Sequence, residues 1–175
     1  MKILKYLFII IAALVALFFG NGMFTENVSY ENEVTVNKSA AEVWAIMEDD
    51  SRISEWLTVI DRMELVSGEA GTVGAVSNIY VTENGEEMVM QETITAVTPE
   101  ERIAMTFTMD FMNMEYEMEL TEMDGKTKIT SRSVTTGNSL VAKSIIAFIP
   151  SVMQAQEQEN LGKLKVLVDN NTKPY

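Results

Sequence analysis

The sequence predicts an α+β domain with a helix-grip fold, in which a seven-stranded curved antiparallel sheet wraps around a long C-terminal helix and two short helices follow the first strand. Three observations predict it. From Thr58 to Thr135 no helical period appears, and six segments alternate polar and apolar residues as half-buried strands do. After Gly137-Asn138 the pattern turns helical. Ahead of the alternating region stands Asn37–Trp56, NKSAAEVWAIMEDDSRISEW, which reads as a capped helix, a polar break and a second short helix.

The elements follow in order. Residues Met1–Gly22 open with Lys2 and Lys5 ahead of an uncharged apolar run, Tyr6–Phe19. As a helix that run extends about 21 Å, short for a bilayer but reachable with lysine snorkelling. An uncleaved membrane anchor is the preferred reading, with the N-terminus inside and the domain on the extracytoplasmic side. A cleaved signal peptide, cut near Gly20 or Gly22 and releasing a secreted domain, is the competing one, although no A-x-A pattern supports cleavage. The domain proper is expected over 28–171. Val28–Val36 is its first strand. Ser39 and Glu42 then form a capping box, the serine accepting from the N3 amide while the glutamate reaches back to the cap. The helix runs Ala40–Glu48, Asp49-Asp50-Ser51 breaks it, and Arg52–Leu57 adds a further turn or two.

Six strands are expected next: Thr58–Val66, Val73–Thr82, Glu87–Val97, Arg102–Phe111, Asn113–Met123 and Lys126–Thr135. Asn84-Gly85, Pro99-Glu100-Glu101 and Asp124-Gly125 punctuate them as tight turns, which makes the set an antiparallel meander. Pro150 lacks an amide proton and clashes with the preceding turn, so it divides a short apolar piece around Ile145–Ile149 from a long helix near Ser151 onward. On that helix Val152, Met153, Leu161, Leu164 and Val168 fall on one stripe.

Composition removes several function classes. The net charge is -13, with 26 acidic residues against 13 basic. Such a surface repels phosphate backbones, so no nucleic-acid partner is expected. The chain has neither cysteine nor histidine, which excludes thiolate and imidazole nucleophile chemistry and the common zinc sites. No cofactor, metal site or catalytic residue is expected. The acids Glu48-Asp49-Asp50 read as a solvated helix end, without calcium-loop spacing. The triplets at Asn27, Asn37 and Asn170-Asn171-Thr172 fit the glycosylation sequon, which matters only in a eukaryotic secretory pathway.

The order of elements, together with VTVNKSAAEVWAIMEDDSRISEWL and ENLGKLKVLVDNN, resembles the START-like, or SRPBCC, superfamily, especially its bacterial polyketide cyclase/dehydrase and lipid-transport group. The matching residues are Ser39–Trp44, Trp56, the Gly71-x-x-Gly74 pair and Leu161-Gly162-x-Leu164-Lys165. The resemblance spans Val28 to about Asn171. It implies a cavity between sheet and helix, closed at one end by the short helices, and it identifies a scaffold rather than an activity.

Alternation assigns Met88, Met90, Glu92, Met105, Phe107, Met109, Tyr116 and Met118 to the inner face, and eight of the 13 methionines lie between Met88 and Met123. Methionine is flexible and polarizable, suited to walls that adapt to apolar ligands. Glu92, Tyr116 and Arg132 are the polar candidates inside, and Trp56 is placed near the mouth. The expected function is a membrane-tethered module holding a lipid or other hydrophobic small molecule. The alternatives are a cyclase- or dehydratase-like enzyme using Glu92, Tyr116 or Arg132, and an interaction domain with a filled core.

Overall fold

The structure is a computed structural model that describes residues 2–57, 59–83 and 85–173. Thr58 and Asn84, expected in the second strand and the first hairpin turn, lie outside the described residues. Helix α1 (Lys2–Phe24) is followed by β1 (Val28–Val36), α2 (Ala40–Met47), a 3-10 turn and α3 (Ile53–Trp56). Strands β2 (Arg62–Ser67), β3 (Val76–Glu83), β4 (Glu86–Thr98), β5 (Arg102–Thr108), β6 (Met112–Met123) and β7 (Lys126–Gly137) come next, then helices α4 (Leu140–Ile146) and α5 (Pro150–Asp169). The sheet has seven strands in the order β1-β7-β6-β5-β4-β3-β2, and every neighbouring pair is antiparallel. This is the helix-grip arrangement.

Local chemistry accounts for the joints. Ser39 Oγ accepts the Glu42 amide at 3.3 Å and Glu42 Oε2 accepts the Ser39 amide at 3.2 Å, so the capping box forms. Glu122 reaches across from β6 and accepts the Ala40 amide at 2.8 Å, satisfying another orphan donor of the first turn. Asp124 and Gly125 both take positive φ, 53° and 71°, the backbone that a two-residue hairpin requires. Pro150 sits at the first position of α5, where its missing amide proton costs nothing. The break expected there falls differently from the sequence reading: α4 ends at Ile146, and Phe148 and Ile149 belong to the corner.

Edge strand β1 is covered by α5. Gln154 Nε2, Gln158 Nε2 and Lys165 Nζ donate to the backbone carbonyls of Glu31, Glu33 and Thr35 at 3.1, 3.4 and 2.6 Å. For Gln154 and Gln158 the match is geometric: four helical residues rise about 6 Å and two strand residues about 6.6 Å, whereas Lys165, seven positions beyond Gln158, reaches back with its longer side chain. Asp169 closes the row by accepting the Asn37 amide at 2.7 Å and the Lys165 ammonium at 2.7 Å. These bonds fill sites that would otherwise invite another strand.

Two apolar clusters form the core. The larger joins Val36, Val43, Trp44, Ile46, Trp56, Met118, Leu120 and Ile129 to Leu161, Leu164 and Val168 of the C-terminal half of α5. The smaller centres on Ile60, Ile79 and Phe107, with Met63, Met90, Met105, Met114 and Tyr116 packed on it. The N-terminal half of α5 is mostly exposed, with Met153 and Glu157 turned inward. Val152, expected on the buried stripe, is 67% exposed.

Candidate functional site

A cavity of about 620 Å³ opens between the two clusters. Its wall comes from β2–β6, from Tyr30 of β1, from α2 and α3, and from Glu157 and Asn160 of α5. The sheet register places the wall residues in rows. Ser77 pairs with Glu92 and Glu92 with Phe107, while Ile94 pairs with Met105 and Met105 with Tyr116. Because side chains alternate along each strand, every residue of such a row points to the same face.

The polar centre of the cavity is Tyr116. Its hydroxyl donates to Glu157 Oε1 at 2.5 Å. Burial, the Glu157 charge and this hydrogen bond together push the Tyr116 phenol well above its ordinary range, so it remains a donor. Tyr30 lies close by on β1; burial raises its phenol, the neighbouring Ser133 hydroxyl pulls the other way, and Glu157 adds to the rise. Asn160, 6% exposed, accepts from Gln156 Nε2 at 3.4 Å. Trp56, also in the wall, buries its Nε1–H without a partner among the described residues. A buried donor left unpaired costs about 1–3 kcal/mol, and an acceptor on a ligand would recover that.

The lining carries three carboxylates, those of Glu92, Glu157 and Glu48, and among its described residues no lysine or arginine. Glu48 is exposed. Anionic head groups therefore meet only like charge on this wall, whereas hydroxyls, amides and amines find acceptors.

Of the residues singled out from sequence, Trp56, Met90, Glu92, Met105, Phe107, Tyr116 and Met118 line the cavity. Met118 is also only 2% exposed and belongs to the larger core cluster, so it closes the floor. Three do not reach the cavity. Met88 shares the face of Met90 but lies two residues nearer the β3–β4 turn, in the exposed start of β4, and it is 43% exposed. Met109 sits past the end of β5, its carbonyl held by Asn138 Nδ2 at 3.2 Å. Arg132 is on the outer face, where it pairs with Glu31 at 2.8 Å and Glu119 at 3.3 Å. Its strand turns Thr127, Ile129, Ser131, Ser133 and Thr135 inward instead. Hydroxyls on the inner side and Thr130 and Val134 on the outer leave no apolar stripe to tell the faces apart, and a one-residue slip exchanges them.

Glu157, Asn160 and Tyr30 were missed. A signal for the first two existed. Counting four from Met153 gives Glu157, four more gives Leu161, and Asn160 stands three beyond Glu157, so polar residues occupy the buried stripe of α5. A polar residue on such a stripe marks either a network or a site.

Comparison with known proteins agrees with this architecture. Residues 27–169 match the family model described as polyketide cyclase / dehydrase and lipid transport. No curated protein matches the sequence. Among solved structures, the ZhuI aromatase/cyclase from Streptomyces sp. R1128 superposes with a TM-score of 0.69 at 17% identity, covering 84% of this chain and 96% of its own. The protein TTHA0849 from Thermus thermophilus gives a TM-score of 0.65 at 14% identity, over 83% of this chain and all of the other. The di-domain ARO/CYC BexL from the BE-7585A biosynthetic pathway gives 0.65 at 16% identity, covering 86% of this chain and 52% of that one. At such identities the likeness establishes the fold, and the family model, which spans most of the chain, establishes membership: the protein belongs to the polyketide cyclase / dehydrase and lipid transport family.

Proposed function

We propose that the protein is a membrane-tethered binding module that holds an apolar small molecule in its methionine-rich cavity. The supporting observation is the cavity itself: about 620 Å³ between two core clusters, walled by Met63, Met90, Met105 and Met114, with a few polar groups converging at Tyr116 and Glu157. An apolar pocket with a small set of orienting polar groups is the usual form of a small-molecule site. The ligand class that fits is neutral or amine-bearing, with hydrogen-bond donors for Glu157 and Glu92 and an acceptor for the Trp56 Nε1–H. A free fatty acid carboxylate does not fit.

The tether in this reading is α1, whose apolar stretch Ile3–Phe24 is long enough to cross a bilayer. Its final turns pack on the domain, which favours retention over cleavage near Gly20 or Gly22. Native mass spectrometry of the detergent-purified full chain, followed by extraction and identification of bound molecules, tests both parts. An intact N-terminus with a copurifying neutral amphiphile is expected. A mature chain beginning after Gly22 would overturn the tether, and exclusively anionic lipid in the cavity would overturn the ligand class.

A second reading is favoured by the 2.5 Å Tyr116–Glu157 contact. A phenol held protonated beside a carboxylate is an acid–base pair within an apolar cavity, as a cyclase or dehydratase requires. It predicts chemical conversion of the bound molecule, lost in both Tyr116→Phe and Glu157→Gln, where pure binding predicts release of the same molecule unchanged.

A further inference from the structure

Helix α1 does not leave the domain freely. Only Thr25, Glu26 and Asn27 separate it from β1, a span of about 10 Å. Its last turns lie against α4: the Phe18 and Phe148 rings stack with centroids 5.9 Å apart and planes 7° from parallel. Gly22 is pressed on α4 so closely that a Cβ there would fall 2.1 Å from Ser144 Oγ and 2.7 Å from the Ser144 nitrogen. Only glycine permits that approach.

Around this contact the surface is unusually apolar. Leu140, Val141, Ile145, Phe148 and Val152 are 42–67% exposed. Asn138 brackets the β5–β6 turn against the start of α4, its amide donating to the Phe111 carbonyl at 2.9 Å and its Nδ2 to the Met109 carbonyl at 3.2 Å. That adds Phe111, 44% exposed, to the same end of the sheet, and with it Asp110. From Asn138 to Gln156 the chain has no aspartate or glutamate and a single lysine, Lys143, although the whole sequence carries 26 acids. An apolar patch of this kind on a strongly acidic protein marks a docking surface.

The occupant follows from geometry. As a 23-residue helix α1 rises about 34 Å, against a hydrocarbon core of about 30 Å, so crossing the bilayer uses nearly all of it. Its C-terminal turns then stand at the headgroup level, and α4 is locked to those turns. We propose that the domain rests directly on the bilayer, with α4 and the first turn of α5 immersed in the interfacial layer and Val141, Ile145, Phe148 and Val152 against lipid. This rests on α1 being retained as an anchor. The absence of acid from 138–156 suits that layer, since carboxylates there would be desolvated beside lipid phosphates.

The chain lacks cysteine, so single-site labelling is direct. The full chain, reconstituted in phosphatidylcholine nanodiscs, would carry a nitrobenzoxadiazole label in Leu14→Cys, Val141→Cys, Val152→Cys or Glu115→Cys, the last being exposed on the outer face of the sheet. Labels at Leu14, Val141 and Val152 are expected to shift to the blue and to be quenched by doxyl-labelled lipid, while the label at Glu115 is not. Val152, 67% exposed, tolerates replacement without disturbing the core, and near-ultraviolet circular dichroism checks each variant. Quenching at Leu14 with Val141 and Val152 in water would overturn the docking and leave the anchor standing. A blue shift at Val141 and Val152 without quenching by lipid would mean that protein covers the patch, and would also overturn it. An unquenched Leu14 would remove the anchor, and the docking with it.

Discussion

Met105 and Met118 lie on neighbouring strands of one sheet face, and tryptophan at each should have opposite effects. Met118 is 2% exposed among Trp44, Trp56, Leu161 and Leu164. An indole there must displace close-packed neighbours, at a cost of about 1–3 kcal/mol. For a domain of this size each kcal/mol lowers Tm by about 2–4 °C, so a fall of about 2–12 °C is expected. Met105 is partly buried and borders about 620 Å³ of open space, so its replacement can turn into the cavity with a stability change within about 1 kcal/mol. The added ring occupies the ligand's volume instead. Nile red, a neutral apolar dye, should bind the domain from Thr25 onward and lose at least about tenfold in affinity in Met105→Trp, equivalent to about 1.4 kcal/mol. Thermal denaturation and dye titration on both variants measure the two effects. The reasoning fails if Met105→Trp destabilises as strongly as Met118→Trp and leaves dye binding unchanged, because the space beside Met105 would then not be where ligands go.

Displacement of Nile red by amphiphiles of equal chain length tests the charge of the cavity: dodecanol and dodecylamine should compete at least about tenfold better than dodecanoate, and Glu157→Gln should narrow the gap. Equal competition by all of them would rule out an acidic wall. Ser39→Ala removes the acceptor of the capping box and should cost about 1 kcal/mol in urea denaturation; no measurable loss would mean the cap contributes nothing. Burial alone would raise the Asp169 carboxyl, but Lys165 and the Asn37 amide outweigh it and hold the group below its ordinary 3.8. A carboxyl lowered on folding stabilises above its unfolded pKa and loses that contribution as pH falls through the folded value. The stability gap between the parent and Asp169→Asn should accordingly shrink as pH drops below 3.8, and a gap that is constant from neutral pH to about pH 2 would refute the clasp.

The parts of the fold legible in the sequence are those that depend on residues near one another along the chain. Ser39 and Glu42 are three apart, Asp124-Gly125 is a dipeptide, and the alternation of Ile103, Met105 and Phe107 states the period of a strand. Pro150 announces a helix start by chemistry of its own backbone. Family membership was legible for the same reason, since the short motifs around Ser39–Trp44 and Leu161–Lys165 are local.

Tertiary structure decided what depends on a partner distant in sequence. Glu157 is an ordinary helical glutamate until Tyr116, 41 residues away, donates to it across the cavity. Nothing within β7 distinguishes Arg132 from an inward residue; the outer face is set by Glu31 and Glu119 on the strands to either side. Gln154, Gln158 and Lys165 look like solvent-facing polar residues, yet they cover the edge carbonyls of a strand more than 120 positions earlier. Gly22 shows the same division: its apolar surroundings mark a helix that could span a membrane, but only the approach of Ser144 fixes how that helix meets the domain. Periodicity records which side of an element is apolar, whereas the identity of what lies opposite is set by the path of the whole chain.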